Sequence, residues 1–528
     1  MLASADSVMR AAGSVRDLAW LRALAVVAIL ASFFYGLDRA PLFDLDEGAF
    51  SEATREMLAR GDLVSPYLNG EPRFDKPAFI HWLQAASVSV FGFTEFGLRL
   101  PSAVCGALWA LITYLFVRKL RSEREALYAA TVTATALLVT IIGKAATADA
   151  LLNLLIAATM FSCYLYFKLH ERKYLYWTFA AAGLGFLAKG PVAVAIPVVV
   201  SFFYCAVRRD LGSWFKAVFN PAGILLFLAI ALPWYAAQYV KQGDAFIQGF
   251  FFKHNVGRFA NAMEGHRGGL WYYVPVVLLG TLPYTSVLLK VARSLLRRRY
   301  DDYTLFCALW FGLVFVLFSL SATKLPHYLL YGSSGLFVLM AINIESLQSR
   351  FWSLLPAAIW VACLLAAPTL VTLTLPTVAH GYTRDVLSAA STEFSTNYYL
   401  AFGVVALFTL YFILEKRIAI AVKLLCLGVA LCIATTTALV PVLGKAQQEP
   451  VKQAALLARE KGLQVVMWGI NMPSFNFYSE RVTERREPRP GDVVVTKSER
   501  LPQLKRYETL YQKDGIALIR VIEKRYGD

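Results

Sequence analysis

Apolar blocks of about 17–22 residues recur along most of this chain, each long enough to cross a bilayer as a helix. Short, mostly basic clusters separate them: Arg118, Lys119, Arg121 and Arg124; Arg208 and Arg209; Arg297, Arg298 and Arg299. Of the 528 residues, 58% are hydrophobic and only 17% charged, whereas soluble domains carry about 25% charge. A soluble enzyme, a fibrous protein and a disordered chain are excluded. The net charge of +16 resides largely in these clusters. That distribution fits the positive-inside rule for a polytopic membrane protein better than a nucleic-acid-binding face.

Spans are expected near 18–36, 99–117, 126–143, 148–167, 174–188, 190–207, 221–240, 271–289, 303–321, 327–344, 352–375, 397–414 and 418–440, about thirteen transmembrane helices. With the N-terminus inside, every second loop should be basic, and the inner loops hold Arg118–Arg124, Lys168–Lys173, Arg208–Lys216, Lys290–Arg299, Arg350 and Lys416–Lys423. An odd count places 445–528 outside. The first span reads as a retained signal anchor, because no small-residue cleavage site obviously follows it. Cysteines 105, 163, 205, 307, 363, 426 and 432 all fall in apolar stretches, so no structural disulfide is implied.

The chain thus divides into a membrane part, 1–444, with long outer loops at 37–98 and 241–270, and a small α/β unit, 445–528. In the first loop, Glu47–Arg60 is expected to be an amphipathic helix at the membrane interface, stopped by Gly61. Asn69-Gly70 predicts a hairpin turn. In the tail, 450–461 reads as a helix, 463–468 and 492–496 as strands, and 505–511 with 515–522 as a hairpin about Asp514-Gly515.

Polar residues that could carry chemistry gather in the outer loops. Asp44, Asp46 and Glu47 follow the first span, where lost solvation raises carboxylate basicity as a general base requires. Asp44 or Asp46 could instead cap the following helix. Lys76, in Phe74-Asp75-Lys76-Pro77, is either a phosphate ligand or a cation snorkelling to headgroups. Asp149 lies at the outer end of a hydrophobic hairpin, as a functional carboxylate or as the partner of Lys144. The second loop carries Lys253, His254, Arg258, His266 and Arg267, and the guanidinium fork suits phosphate oxygens. Its Trp271-Tyr272-Tyr273 suits an interfacial belt or sugar stacking. Lys324 and Tyr328 could join the same phosphate site. The histidines lack metal-ligand spacing; no cofactor is assigned, and a divalent metal stays open.

In order, DEGAFSEATREMLARGD, FDKPAFIHWL, FFKHNVGRF with a downstream WYY, and KLPHYLL resemble the polyprenyl-phosphate-sugar glycosyltransferases of the GT-C type. The nearest resemblance is to the bacterial lipid A aminoarabinose transferases, akin to protein O-mannosyltransferases. It implies a periplasmic active site on a multi-pass protein of the bacterial inner membrane. The donor would be a sugar on undecaprenyl phosphate (4-amino-4-deoxy-L-arabinose or a related sugar), transferred with inversion to a lipid A or lipopolysaccharide-type acceptor. It further implies Asp46 and Asp149 as catalytic carboxylates, with Glu47, Lys76, Arg258 and Tyr328 binding substrate. A monomer working with lipid or glycan acceptors in the bilayer, without nucleic acid, is expected. Gly268-Gly269-Leu270 before the WYY, and Tyr331-Gly332 after KLPHYLL, depart from the family pattern on the sugar and acceptor side. A protein or other envelope-glycan acceptor is the alternative, and a lipid-linked sugar flippase the more distant one.

Overall fold

A computed structural model describes residues 18–257, 268–296 and 300–524. All thirteen expected segments contain helix. Among the described residues, eight helices are long and apolar enough to cross a membrane: Glu95–Leu120, Asp149–Leu169, Pro221–Gln242, Asp302–Leu320, Pro326–Ser346, Arg350–Thr377, Thr396–Leu414 and Ile420–Gln447. Leu18–Phe34 and Val192–Val207 are shorter, and Arg172–Lys189 carries charges at both ends.

The two remaining segments are interrupted. Glu123–Thr135 and Leu137–Ile142 part at Ala136, whose ψ of 131° is extended. Tyr273–Gly280 and Thr285–Leu295 part over 281–284. The breaks repair each other. Leu137 N–H donates to the Leu282 carbonyl at 3.0 Å, and the Thr135 and Tyr284 hydroxyls lie 2.6 Å apart. Such pairing is what lets broken backbone persist away from water. Two buried tryptophans are likewise matched: Trp109 Nε1 donates to Ser334 Oγ, and Trp310 Nε1 to the Tyr331 carbonyl, both at 2.8 Å.

In the first outer loop, the Asp46–Arg60 helix ends at Gly61, whose φ of +65° is the left-handed stop expected there. The helix does not lie as an amphipathic rod at the interface. Ten of its residues are buried, Glu47, Glu52 and Glu56 among them. Those carboxylates are matched: Glu52 accepts from Arg55 at 2.6 and 2.7 Å, and Glu56 from the Gly70 amide. Strands β1 (Tyr67–Leu68) and β2 (Glu71–Pro72) form the hairpin, with Asn69 and Gly70 both at positive φ.

The tail folds as a five-stranded sheet. Its strands are β3 (Val465–Met467), β4 (Glu484–Arg485), β5 (Val493–Lys497), β6 (Leu504–Lys513) and β7 (Ile516–Lys524), in the order β4-β3-β5-β7-β6. β3 runs parallel to β4 and β5, and β6 and β7 form the expected hairpin. The Glu449–Glu460 helix packs Val451, Ala454, Ala455 and Ala458 against the sheet residues Met467, Val493 and Val495. Two elements escape the sequence reading, β4 and the Pro473–Ser479 helix, each too short to show a period. That helix carries Tyr478, whose hydroxyl donates to Glu95 and accepts from the Leu42 amide, while Lys452 pairs with Glu95 at 2.6 Å. The tail is thereby seated on the first outer loop.

Candidate active site

The Asp44–Glu47 segment is organised around one buried ion pair. Arg99, in the first turns of the Glu95–Leu120 helix, donates to both Glu47 oxygens at 2.8 and 2.6 Å. Its three remaining N–H groups reach the carbonyls of Leu37, Ala40 and Pro41. Glu47 also accepts from the amides of Phe43 and Ala146. Burial alone would raise the Glu47 pKa, but the Arg99 charge and these hydrogen bonds bring it below the ordinary range. Four donors engage the Glu47 carboxylate, so it holds the loop, and it also lines the cavity that contains Arg99 and Lys144.

Asp46, beside it, is exposed and makes no hydrogen bond or ion pair among the described residues. It opens the Asp46–Arg60 helix, yet Leu45 is the N-cap and no side chain caps it. The capping alternative is thus not realised by either Asp44 or Asp46. Asp44 instead turns to the tail, where its carboxylate accepts from the backbone amide and hydroxyl of Ser474. Burial pushes the Asp44 pKa up to about 7, against the opposing effect of those two hydrogen bonds.

Asp149 begins its helix and does not pair with Lys144. Lys189, the last residue of the Arg172–Lys189 helix, lies 2.6 Å from Asp149 Oδ1. The Tyr331 hydroxyl donates to the same oxygen at 3.2 Å, and His327 Nε2 approaches to 3.7 Å. Lys189 is the main residue that sequence reasoning missed, and its signal was a lone cation ending an apolar helix at Gly190-Pro191. Gly190 is required there: its φ is +77°, and an added Cβ would fall 2.5 Å from the Phe250 ring. Lys144 instead donates to the Tyr35 carbonyl and Thr436 Oγ1.

Lys76 donates to the backbone and side chain of Asp75, which also receives Arg73. Burial opposes ionisation of Asp75, but the Arg73 and Lys76 charges outweigh it and hold the carboxyl well below its usual range. Tyr328 is buried nearby. Lys324 does not join this group: its ammonium binds the carbonyls of Ser319 and Ser321 at the end of the Asp302–Leu320 helix. Arg258, His266 and Arg267 lie outside the described residues.

These side chains line three adjoining cavities. A polar one of about 360 Å³ contains Asp46, Arg73, Asp75, Lys76, Asp149 and Lys189. A second, of about 390 Å³, is walled by apolar residues such as Val192, Phe251, Phe252, Leu317 and Phe318. They meet at Asp75, Lys76, Lys189, His254 and Tyr328, which line both. A third, of about 230 Å³, holds Arg99 and Lys144 and shares Asp46, Asp149 and His327 with the first. Asp75 and His254 share a wall, but among the described residues no three His, Cys, Asp or Glu side chains gather as a metal site needs.

With the geometry in place, comparison with known proteins is informative. The family model for dolichyl-phosphate-mannose-protein mannosyltransferases matches residues 75–236. The undecaprenyl phosphate-alpha-4-amino-4-deoxy-L-arabinose arabinosyl transferase of Aeromonas hydrophila is 35% identical over 323 residues, 60% of this chain and 58% of that protein. An uncharacterised protein of Aquifex aeolicus is 33% identical over 319 residues, 60% of this chain and 72% of that one. The crystal structure of ArnT from Cupriavidus metallidurans bound to undecaprenyl phosphate superposes with a TM-score of 0.78 at 23% identity, over 95% of this chain and 98% of that one. The chain shares the fold of that structure. The match spans under two thirds of the curated arabinosyl transferases, and at 23% identity the crystal-structure likeness is one of fold. Its apolar helices make it a multi-pass membrane protein, and it carries a small C-terminal sheet domain.

Two outcomes follow from the carboxylate geometry. Arg99→Met should cost about 3–5 kcal/mol of unfolding free energy in detergent, because it strands Glu47 as an unpaired buried charge. The double variant with Glu47→Leu should recover part of that loss, whereas a loss below about 1 kcal/mol would show that the pair does not hold the loop. For Asp44, the folded pKa near 7 lies above its ordinary value of 3.8, so between these pH values the folded state binds more protons than the unfolded one. Stability should therefore fall as pH rises through that window. Asp44→Asn cannot ionise and should flatten the decline in a melting series, and an unchanged slope would show that Asp44 is not its source.

Proposed function

We propose that this protein transfers a sugar, 4-amino-4-deoxy-L-arabinose or a relative, from undecaprenyl phosphate to a lipid A or lipopolysaccharide-type acceptor. Transfer takes place at the periplasmic face of the bacterial inner membrane. The observation that carries this reading is the junction of a polar and an apolar cavity across Lys76, Lys189, His254 and Tyr328. A polyprenyl tail suits the apolar side, a phosphate the cationic junction, and a sugar the polar side facing Asp46 and Asp149. The names of the arabinosyl transferase relatives and of the undecaprenyl phosphate complex support the same donor.

In the proposed reaction an acceptor oxygen attacks the anomeric carbon and forms the new C–O bond. The bond from that carbon to the phosphate oxygen breaks, and the phosphate leaves with the electron pair. One displacement inverts the anomeric centre. Lys76 and Lys189 meet the charge growing on the leaving phosphate, with Tyr328 as a further contact and Arg258 assigned to the same grip from the family motif. Asp46 faces both the polar cavity and the Arg99–Lys144 cavity, the position of a base that takes the acceptor proton. Asp149 orients Lys189 and the acceptor.

Asp46→Asn should lower turnover of the undecaprenyl-phosphate sugar by roughly 100-fold or more while leaving undecaprenyl phosphate affinity near wild type. Lys76→Ala should weaken that affinity by at least about 2 kcal/mol. Paired turnover and binding assays on monodisperse protein check both, and normal turnover in Asp46→Asn would remove it as base. The topology belongs to the same proposal: thirteen crossings, with 1–444 as the catalytic membrane domain and 445–528 as a periplasmic domain. A reporter active only in the cytoplasm, fused after Lys445, should stay silent, and a bright signal would overturn this orientation.

A further inference from the structure

Part of the polar cavity wall comes from the C-terminal sheet domain. β3 lies between its parallel neighbours β4 and β5, and the chain leaves β3 toward β4 but leaves β5 toward the opposite edge. In open α/β sheets the carboxyl ends of strands at such a reversal border the ligand crevice. Here the segment leaving β3 brings Asn471 and Pro473 into the wall that also contains Asp46, Arg73 and Asp149. Asn471 Oδ1 is shut off from solvent and has no hydrogen-bond partner among the described residues. A buried carbonyl oxygen without a donor is costly, so its partner is expected from a ligand.

The backbone that follows this residue is anchored. Three residues on, Ser474 donates its amide and hydroxyl to Asp44, two residues before Asp46. An unpartnered acceptor does not suit a phosphate, which itself only accepts. Asn471 is also absent from the walls of the apolar cavity and of the Arg99–Lys144 cavity. The remaining ligand portion is the group held above the cationic junction.

We propose that Asn471 is a specificity-determining residue whose Oδ1 accepts a hydrogen bond from a hydroxyl or ammonium group of the transferred sugar. This rests on the donor reading above. The test uses full-length N471L, which keeps the forked shape and removes the amide, and N471S. Each is assayed for binding of undecaprenyl phosphate and of undecaprenyl phosphate-4-amino-4-deoxy-L-arabinose without acceptor, and for transfer. Both variants should bind the bare lipid phosphate within about two-fold of wild type, yet lose about ten-fold in affinity and kcat/KM for the sugar-bearing lipid, the scale of one hydrogen bond. Equal losses for both lipids, or no loss for the sugar-bearing one, would overturn the assignment. If wild type transfers the sugar and the variants match it, Asn471 alone falls. If wild type neither distinguishes the two lipids nor transfers the sugar, the donor reading falls and takes this assignment with it.

Discussion

The arrangement of the outer face depends on the ion pair between Glu47 and Arg99. A guanidinium offers five N–H donors and no acceptor, so burying one demands five oxygens in a fixed fan. Arg99 finds two on Glu47 and three on the carbonyls of Leu37, Ala40 and Pro41. The loop leaving the first helix is therefore wrapped around one side chain. Glu47 in turn binds the Ala146 amide, three residues before Asp149. Asp46 and Asp149, about a hundred residues apart in sequence, are thus positioned relative to the same ion pair, which leaves Asp46 itself uncommitted.

The cations at the cavity junction are organised by a related device. Lys76 is seated against Asp75, and Lys189 against Asp149. A buried lysine alone would lose its charge to desolvation, whereas a buried lysine beside a carboxylate keeps it and is held in one direction. On the proposed reading, an arriving phosphate shares cations that are already oriented, so little reorganisation is left for the moment at which charge moves onto the leaving group. The apolar wall contributed by Phe251, Phe252 and Phe318 lowers the local dielectric beside the same junction.

What was legible in the sequence was what local rules encode. The apolar helices follow from block length, and Asn69-Gly70, Gly61 and Asp514-Gly515 announce positive φ at turns. Asp149 and Lys76 were visible because a charge in an apolar setting stands out. Partnerships were not visible. Lys144 is the cation nearest Asp149 in sequence, but the helix starts only at Asp149, and Lys144 turns toward Thr436. The true partner, Lys189, is forty residues away across a helical hairpin. Lys324 shares its loop with Tyr328 and yet caps a helix end. Glu47 looked like a substrate contact beside Asp46, and its grip on the distant Arg99 was not visible.

The least legible contribution came from the tail, for a physical reason. The Pro473–Ser479 helix has seven residues, too few for a hydrophobic period to emerge, and its burial is set by contact with the Glu449–Glu460 helix and with the first outer loop. Through Ser474 and Tyr478 it binds Asp44, the Leu42 amide and Glu95. Those contacts flank Glu47 in sequence, so the tail braces the same loop that Arg99 grips. An element that merely covered a membrane enzyme would need only apolar contact with it. This one engages the loop through directional bonds to buried polar groups, two residues from the exposed carboxylate, and on the proposed reading that precision is what a wall of the reacting cavity requires.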